Sequence, residues 1–183
     1  MTMSPTSSDV NPARAGRTRM REFQSALTGR LRDARVAAQA HNMLAVRIGA
    51  CDYLIELAEA GEIAAPGVIT TVPWTQPWYV GVTSLRGQLV GVVDLACYRG
   101  QAPLPIDHSS CVLTFAPALR LNAALLVTRT LGLRDADGMS SVSASEALPG
   151  WLGPSLADAR HQAFTPLSLA RLAREESFLG AGR

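Results

Sequence analysis

Residues 81–95, GVTSLRGQLVGVVDL, carry the most informative pattern in this chain. Two apolar runs flank a bend at Arg86-Gly87, which predicts a β-hairpin over about 79–95. Gly81 and Gly87 bracket the first strand, and glycine permits the positive φ or the close approach that a tight bend requires. The bend itself does not require arginine. We therefore expect the Arg86 side chain to serve a separate purpose.

The chemistry of arginine indicates what that purpose is. A guanidinium presents five donors in a fixed fork that suits a carboxylate. Two acids in the sequence could supply one: Asp94, which we place in the returning strand ending near Leu95, or Glu62, upstream of the hairpin. The alternative is an arginine that is simply solvated on the turn, since arginine is mostly exposed in proteins.

Outside this hairpin the chain predicts a series of short strands. Period-two alternation of apolar residues and intervening turn residues indicate strands at 44–48, 53–57, 111–115 and 121–127. The segment PWTQPW, residues 73–78, contains two prolines that exclude both a helix and a central strand. Residues 133–154 show no clear pattern. Short strands at close intervals favour antiparallel barrels or a sandwich.

The two ends of the chain have different patterns. Residues 1–19 are polar and aperiodic, which predicts a disordered tail. In residues 20–41 apolar side chains recur at spacings of three and four, the stripe of an amphipathic helix that could pack on its own domain, meet a partner helix or lie on an anionic membrane surface. Residues 42–180 form the predicted domain. Thr165-Pro166 resembles the start of a closing helix that runs to about Leu179.

Composition excludes several classes of protein. The net charge of +2 divides into +4 over residues 1–40 and −2 over the remainder, so the domain is mildly acidic and does not indicate a nucleic-acid binder. No apolar run reaches the roughly 18 residues of a membrane span, and the start lacks a secretory apolar core, so we expect a cytoplasmic protein without membrane insertion. The three cysteines form no CxxC pair, so neither a zinc site nor a disulfide framework is expected.

Catalytic signatures are missing from the sequence. It contains no GxSxG, GxxxxGK[ST] or GxGxxG motif and no HExxH metal pair, so we expect neither an enzyme nor a cofactor. A spatial site of Ser84, His108 and Asp94 stays open as an alternative, and it would make the protein a small serine hydrolase.

Three segments in order resemble the CheW-type coupling domain of bacterial chemotaxis systems: YLIELAEAGEI (53–63), PWTQPWYVGV (73–82) and TSLRGQLVGVVDL (83–95). The residues that match the family's glycine, Leu-Arg-Gly and Val-Val-Asp-Leu pattern are Gly81, Leu85, Arg86, Gly87, Val92, Val93, Asp94 and Leu95. Ser84 stands where asparagine is common, and Gly91 where proline is common. Within that family the chain is most similar to coupling proteins of type IV pilus (twitching-motility) chemosensory systems.

This resemblance implies a mainly β fold of two packed five-stranded β-barrel subdomains, with an N-terminal amphipathic helix and a short C-terminal helix. It implies a non-catalytic adaptor that joins the cytoplasmic tip of a methyl-accepting chemoreceptor to a CheA-type histidine kinase, with the receptor in the groove between the barrels. It also makes Glu62 the partner of Arg86. The expected partner-binding residues are Glu62, Gly81, Ser84, Arg86, Gly87 and Asp94. A binding module that has lost coupling is a third possibility, because the second half departs from the family pattern.

Overall fold

The structure, a computed structural model, describes residues 42–142 and 148–182. The predicted tail (1–19) and amphipathic helix (20–41) lie outside these ranges. The described part is mainly β: eleven strands form two sheets, accompanied by a few helices of one turn. No helix in the described ranges has the length and apolar character needed to cross a bilayer.

The first sheet contains β3 (Ala60–Ala64), β4 (Tyr79–Leu85), β5 (Gln88–Val93), β6 (Cys111–Phe115) and β7 (Ala123–Val127). Its order is β3-β6-β7-β5-β4, which places β3 and β4 at opposite edges. Ala64 of β3 and Leu85 of β4 nevertheless pack against the same buried cluster, which includes Val92 and Leu126. The sheet is therefore curled around its own apolar interior.

A segment between β3 and β4 brings the two edges together. Thr70 and Val82 exchange two backbone hydrogen bonds of 2.8 and 2.9 Å, so the segment that leaves β3 runs beside β4. The Thr83 hydroxyl, which is buried, donates to the Pro66 carbonyl at 2.7 Å. These contacts satisfy backbone groups that an open sheet edge would leave exposed.

The second sheet contains β1 (Asn42–Ile48), β2 (Cys51–Glu56), β8 (Arg129–Asp135), β9 (Ser140–Ser141), β10 (Leu156–Ala157) and β11 (Ala163–Pro166). Its order is β8-β1-β2-β11-β10-β9, one strand more than the five expected. Leu131 of β8 and Met139, next to β9, pack on the same cluster as Phe164. This sheet therefore also curls, because side chains from its two edges share one interior.

A third apolar cluster lies between the two sheets. On β7 the residues alternate: Leu125 and Val127 join this central cluster, whereas Ala124 and Leu126 face the interior of the first sheet. Val46 of β1 reaches the same central cluster from the other sheet. Strand β7 is thus apolar on both faces, because each face is covered. The predicted fold class, two packed β subdomains, is confirmed.

Several predicted boundaries were wrong. The hairpin of β1 and β2 turns on two residues, 49 and 50, because Ile48 pairs with Cys51. Strand β5 ends at Val93, and Asp94 caps a short helix α1 (Leu95–Tyr98) instead of continuing the strand. Strands β3 and β8 were not predicted.

The predicted start of the closing helix was also wrong. Thr165 and Pro166 belong to β11, where Thr165 pairs in parallel with Tyr53 of β2. The helices come later, as α2 (Leu169–Leu172) and α3 (Glu176–Leu179). Glu59 accepts a hydrogen bond of 2.6 Å from the Leu169 backbone N–H. The carboxylate therefore holds the start of α2 against the β2–β3 turn.

Candidate partner-binding surface

The β4–β5 turn holds Arg86 in a backbone conformation that most side chains avoid. Leu85 pairs with Gln88, so the turn consists of Arg86 and Gly87, whose φ angles are 47° and 80°. Positive φ at both central residues is the pattern of a type I′ turn, which favours Asn-Gly or Gly-Gly. A left-handed non-glycine residue costs about 1–2 kcal/mol. Arginine therefore destabilises this turn relative to asparagine or glycine.

Arg86 pairs with Glu62, as the resemblance implies, and not with Asp94. Its Nη2 lies 2.8 Å and its Nε 2.9 Å from the same atom, Oε1 of Glu62. Because Glu62 is on β3 and Arg86 follows β4, the ion pair joins the two edges of the first sheet. The Arg86 side chain is 81% exposed and that of Glu62 35%. Most of the arginine side chain is therefore accessible to a partner.

The backbone of Glu62 is anchored independently of this pair. Its N–H donates to the Thr114 hydroxyl at 2.7 Å, across the irregular pairing of β3 with β6. The Glu62 backbone is thus held beside the turn whether or not the ion pair forms.

Gly81 and Gly87 have different roles. Gly81 is buried with φ 146°, and a Cβ there would overlap the Thr70 carbonyl. Gly87 has φ 80°, and a Cβ there would meet no atom within 4 Å. Gly81 is therefore needed for the close approach of the closing segment, and Gly87 for the turn conformation alone. Little of Gly81 is exposed to a partner, because the residue is buried.

Asp94 is also an internal residue. It is buried, its Oδ1 accepts from the Cys97 N–H at 3.0 Å, and its Oδ2 accepts from the Leu104 N–H at 2.7 Å. The carboxylate thus caps α1 and holds the loop that follows. Asp94 therefore supports the fold from inside, and its expected part in partner binding stays a prediction.

The structure does not bring Ser84, His108 and Asp94 together as a catalytic site. A triad needs its acid hydrogen-bonded to the histidine. Here both oxygens of Asp94 accept from backbone N–H groups, and among the described residues no hydrogen bond joins Asp94 to His108. Ser84 and His108 are exposed. No group of three potential metal ligands occurs in the described part of the chain.

Ser84 belongs to an exposed row that sequence reasoning missed. Ser84 pairs with Leu89 of β5, and on the other edge of β4 the Val68 carbonyl accepts a hydrogen bond of 3.1 Å from the hydroxyl of the neighbouring Thr83. Val68 is 86% exposed and Leu89 70%. Two aliphatic side chains at the surface beside an exposed arginine are typical of a protein contact. The alternation in β5 could have located Leu89, because it faces away from the buried Val90.

A cleft of about 450 Å³ lies beside the ion pair. Arg86 and Glu62 line it, together with Arg120, which sequence analysis did not identify. The remaining lining residues are Gly61, Leu85, Gln88, Val90, Thr114, Phe115, Pro117, Leu121, Asn122 and Ala123. The whole cleft is thus built from the first sheet and its connections.

A second ion pair, on the other sheet, is structural. Arg47 and Asp52 are cross-strand neighbours and form two hydrogen bonds of 2.6 and 2.7 Å. The Arg47 guanidinium, assisted by Gln162, holds the pKa of the Asp52 carboxyl below its usual value, against the opposing effect of burial. Because the Asp52 side chain is only 7% exposed, this pair has little surface for a partner.

Comparisons with known proteins agree with this architecture. The family model of the CheW-like domain matches residues 42–175. The chain is 26% identical over 98 residues to Protein PilI of Pseudomonas aeruginosa, and the alignment spans about half the length of each protein, 54%. The crystal structure of the scaffolding protein TtCheW from Thermoanaerobacter tengcongensis is similar in fold, with a TM-score of 0.62 and 15% identity, over 75% of this chain and 95% of that one.

Proposed function

Because this chain belongs to the CheW-like domain family, we propose that it is a non-catalytic adaptor that couples a methyl-accepting chemoreceptor to a CheA-type histidine kinase. The similarity to PilI supports placing the adaptor in a chemosensory system that controls type IV pili and twitching motility. It would act in the cytoplasm, where it meets the cytoplasmic tip of the receptor, and it would need no cofactor.

The observation that carries this proposal is the Arg86–Glu62 ion pair. It joins the two edges of the first sheet, yet its arginine is 81% exposed and lies on a strained turn. An exposed ion pair stabilises a fold by only about 0–1 kcal/mol, which is less than the cost of the left-handed arginine. Stability alone therefore does not account for Arg86, whereas contact with a partner does.

The neighbouring surface supports the same role. Val68 and Leu89 give the exposed row an apolar character, and a protein interface combines such side chains with arginine. Gly81 and Asp94 hold the hairpin and the following loop from inside. In this proposal Arg86, Glu62 and Ser84 contact partners, while Gly81, Gly87 and Asp94 keep that surface in shape.

Binding measurements on the full chain test the proposal. The probes are the cytoplasmic tip of a methyl-accepting receptor and the CheA-type kinase, both from the same genome. We expect the chain to bind each probe and to retain them together in one complex on gel filtration. Arg86→Ala should weaken binding at least about tenfold, whereas Arg160→Ala, at an exposed turn position of the second sheet, should not.

Two outcomes would contradict the proposal. One is the absence of binding to both probes by the unmodified chain. The other is esterase turnover that Ser84→Ala abolishes, which would favour the serine hydrolase over the adaptor.

A further inference from the structure

The cleft beside the ion pair contains a second arginine in an unusual backbone conformation. Arg120 follows the short 3-10 helix Pro117–Leu119 in the connection from β6 to β7, with φ 53°. Arg86 and Arg120 thus both adopt left-handed geometry, and both line the same cleft. Side chains other than glycine, asparagine and aspartate rarely adopt this conformation. Two such arginines at one cleft indicate a shared use.

The charges in this cleft are not balanced. Arg86 directs Nε and Nη2 to one oxygen of Glu62. Arg120 is exposed, and within the described ranges its guanidinium donates to no side chain or carbonyl. Two arginines and one glutamate leave the charged lining with a net +1. A single carboxylate would neutralise the cleft, whereas a dianionic phosphate would exceed its charge and approach Glu62 as well.

The uncharged lining indicates what accompanies that carboxylate. Val90 and Ala123 are buried at the base, and Leu121 is half-buried next to them. Gln88 and Asn122 are exposed and add amide groups at the rim. An apolar base with polar groups at its margin suits a protein segment that carries an acidic side chain next to an aliphatic one.

We propose that this cleft binds an aspartate or glutamate of a protein partner, with Arg120 as its principal contact and Arg86 as the second donor. The inference rests on the proposed function, since it names the chemistry of the partner at the surface assigned there. Glu62 then has a further effect: it orients Arg86 towards the cleft and excludes partners that offer more than one negative charge.

Charge reversal with a matched control tests this inference. The receptor tip and the kinase are each titrated against the unmodified chain, Arg120→Glu, Arg120→Gln and the control Arg160→Glu. We expect Arg120→Glu to weaken binding of one probe at least about tenfold and Arg120→Gln to weaken it less. Arg160→Glu, which makes the same change of net charge on the second sheet, should alter binding less than about twofold.

Rescue from the partner side identifies the acidic residue. Each aspartate and glutamate of the affected probe is changed to arginine, and one such variant should recover most of the affinity lost by Arg120→Glu. Binding of the unmodified chain should also weaken as salt rises, and this dependence should be smaller for Arg120→Gln. Arg120→Gly, which suits φ 53°, provides a folded variant if Arg120→Glu does not fold, and it should bind as weakly as Arg120→Gln.

The possible failures are distinguishable. If Arg86→Ala abolishes binding while Arg120→Glu binds within about twofold of the unmodified chain, the acidic-partner inference is wrong and the proposed function stands. An equal loss for Arg160→Glu would indicate a general effect of net charge and overturn the inference in the same way. If the unmodified chain binds neither probe, both are wrong.

Discussion

Replacing Arg86 by asparagine separates partner binding from stability more cleanly than replacing it by alanine. Asparagine is favoured at the first central position of a type I′ turn, so it should adopt φ 47° with less strain than arginine. The variant loses the contact with Glu62, which at 81% exposure of the arginine contributes about 0–1 kcal/mol. Asparagine relieves only part of the arginine's cost of about 1–2 kcal/mol in this turn, so the gain in the turn roughly offsets the loss of the pair. We expect the free energy of unfolding to change by less than about 1 kcal/mol.

Denaturant unfolding and binding measured on the same samples check this expectation. Arg86→Asn should bind the receptor tip or the kinase at least about tenfold more weakly, with a nearly unchanged unfolding midpoint. Glu62→Gln removes the same pair without any change in the turn, so it should lose up to about 1 kcal/mol of stability. If Arg86 and Glu62 act as one unit, the double variant should bind no more weakly than whichever single variant binds less tightly.

Three results would refute this reasoning. A loss of about 3 kcal/mol or more in Arg86→Asn would mean that the pair behaves as a buried salt bridge. Unchanged binding would mean that Arg86 contacts no partner. Strictly additive binding losses in the double variant would mean that Glu62 does not position Arg86.

Three further predictions concern residues that support the fold. Gly81→Ala should lower the free energy of unfolding by about 3 kcal/mol or more, because its Cβ would overlap a backbone carbonyl. Gly87→Ala should lower it by only about 1–2 kcal/mol, because alanine is strained at this positive φ but meets no atom. Denaturant unfolding of both variants measures the difference. Asp94→Ala removes a helix cap and strands a backbone N–H, so those melts should show a loss of about 2–4 kcal/mol. Since its folded pKa is lowered, Asp52 stabilises the protein above about pH 4 and loses this effect as the pH falls through that lower pKa. In Asp52→Asn the free energy of unfolding should therefore decrease less steeply below about pH 4 than in the unmodified chain. An unchanged decrease in this pH range would contradict the prediction.

The hairpins could be predicted from the sequence because their information is local. Alternation and turn residues define β4 and β5 around Arg86-Gly87 without reference to the rest of the chain. Strand β3, by contrast, is AGEIA, a segment with little intrinsic preference for strand. It is extended because it pairs with β6, about 50 residues later. No local pattern carries that information.

Thr165-Pro166 and Asp94 illustrate two further limits. Thr165-Pro166 has the composition of a helix start, but its parallel pairing with β2, more than 100 residues earlier, prevails over that local preference. Asp94 follows a run of valines that reads as a continuing strand. The partner that explains its burial, the Leu104 N–H, comes from a loop whose path cannot be deduced from the residues around Asp94.

The residues of the candidate surface show the same difference between local and long-range information. The motif residues match the family as a set, but the sequence does not separate those that support the fold from those that are exposed: Gly81 and Asp94 are buried, whereas Arg86 and Ser84 are exposed. Gly91, where proline is common in the family, shows why the departures matter. Its N–H donates to the Asn122 carbonyl at 3.0 Å, a bond that proline could not make, and the Tyr79 ring covers the space a side chain would need. The connection that carries Arg120 and Asn122 is therefore tied to the motif strand at this glycine, which explains how the two arginines come to line one cleft.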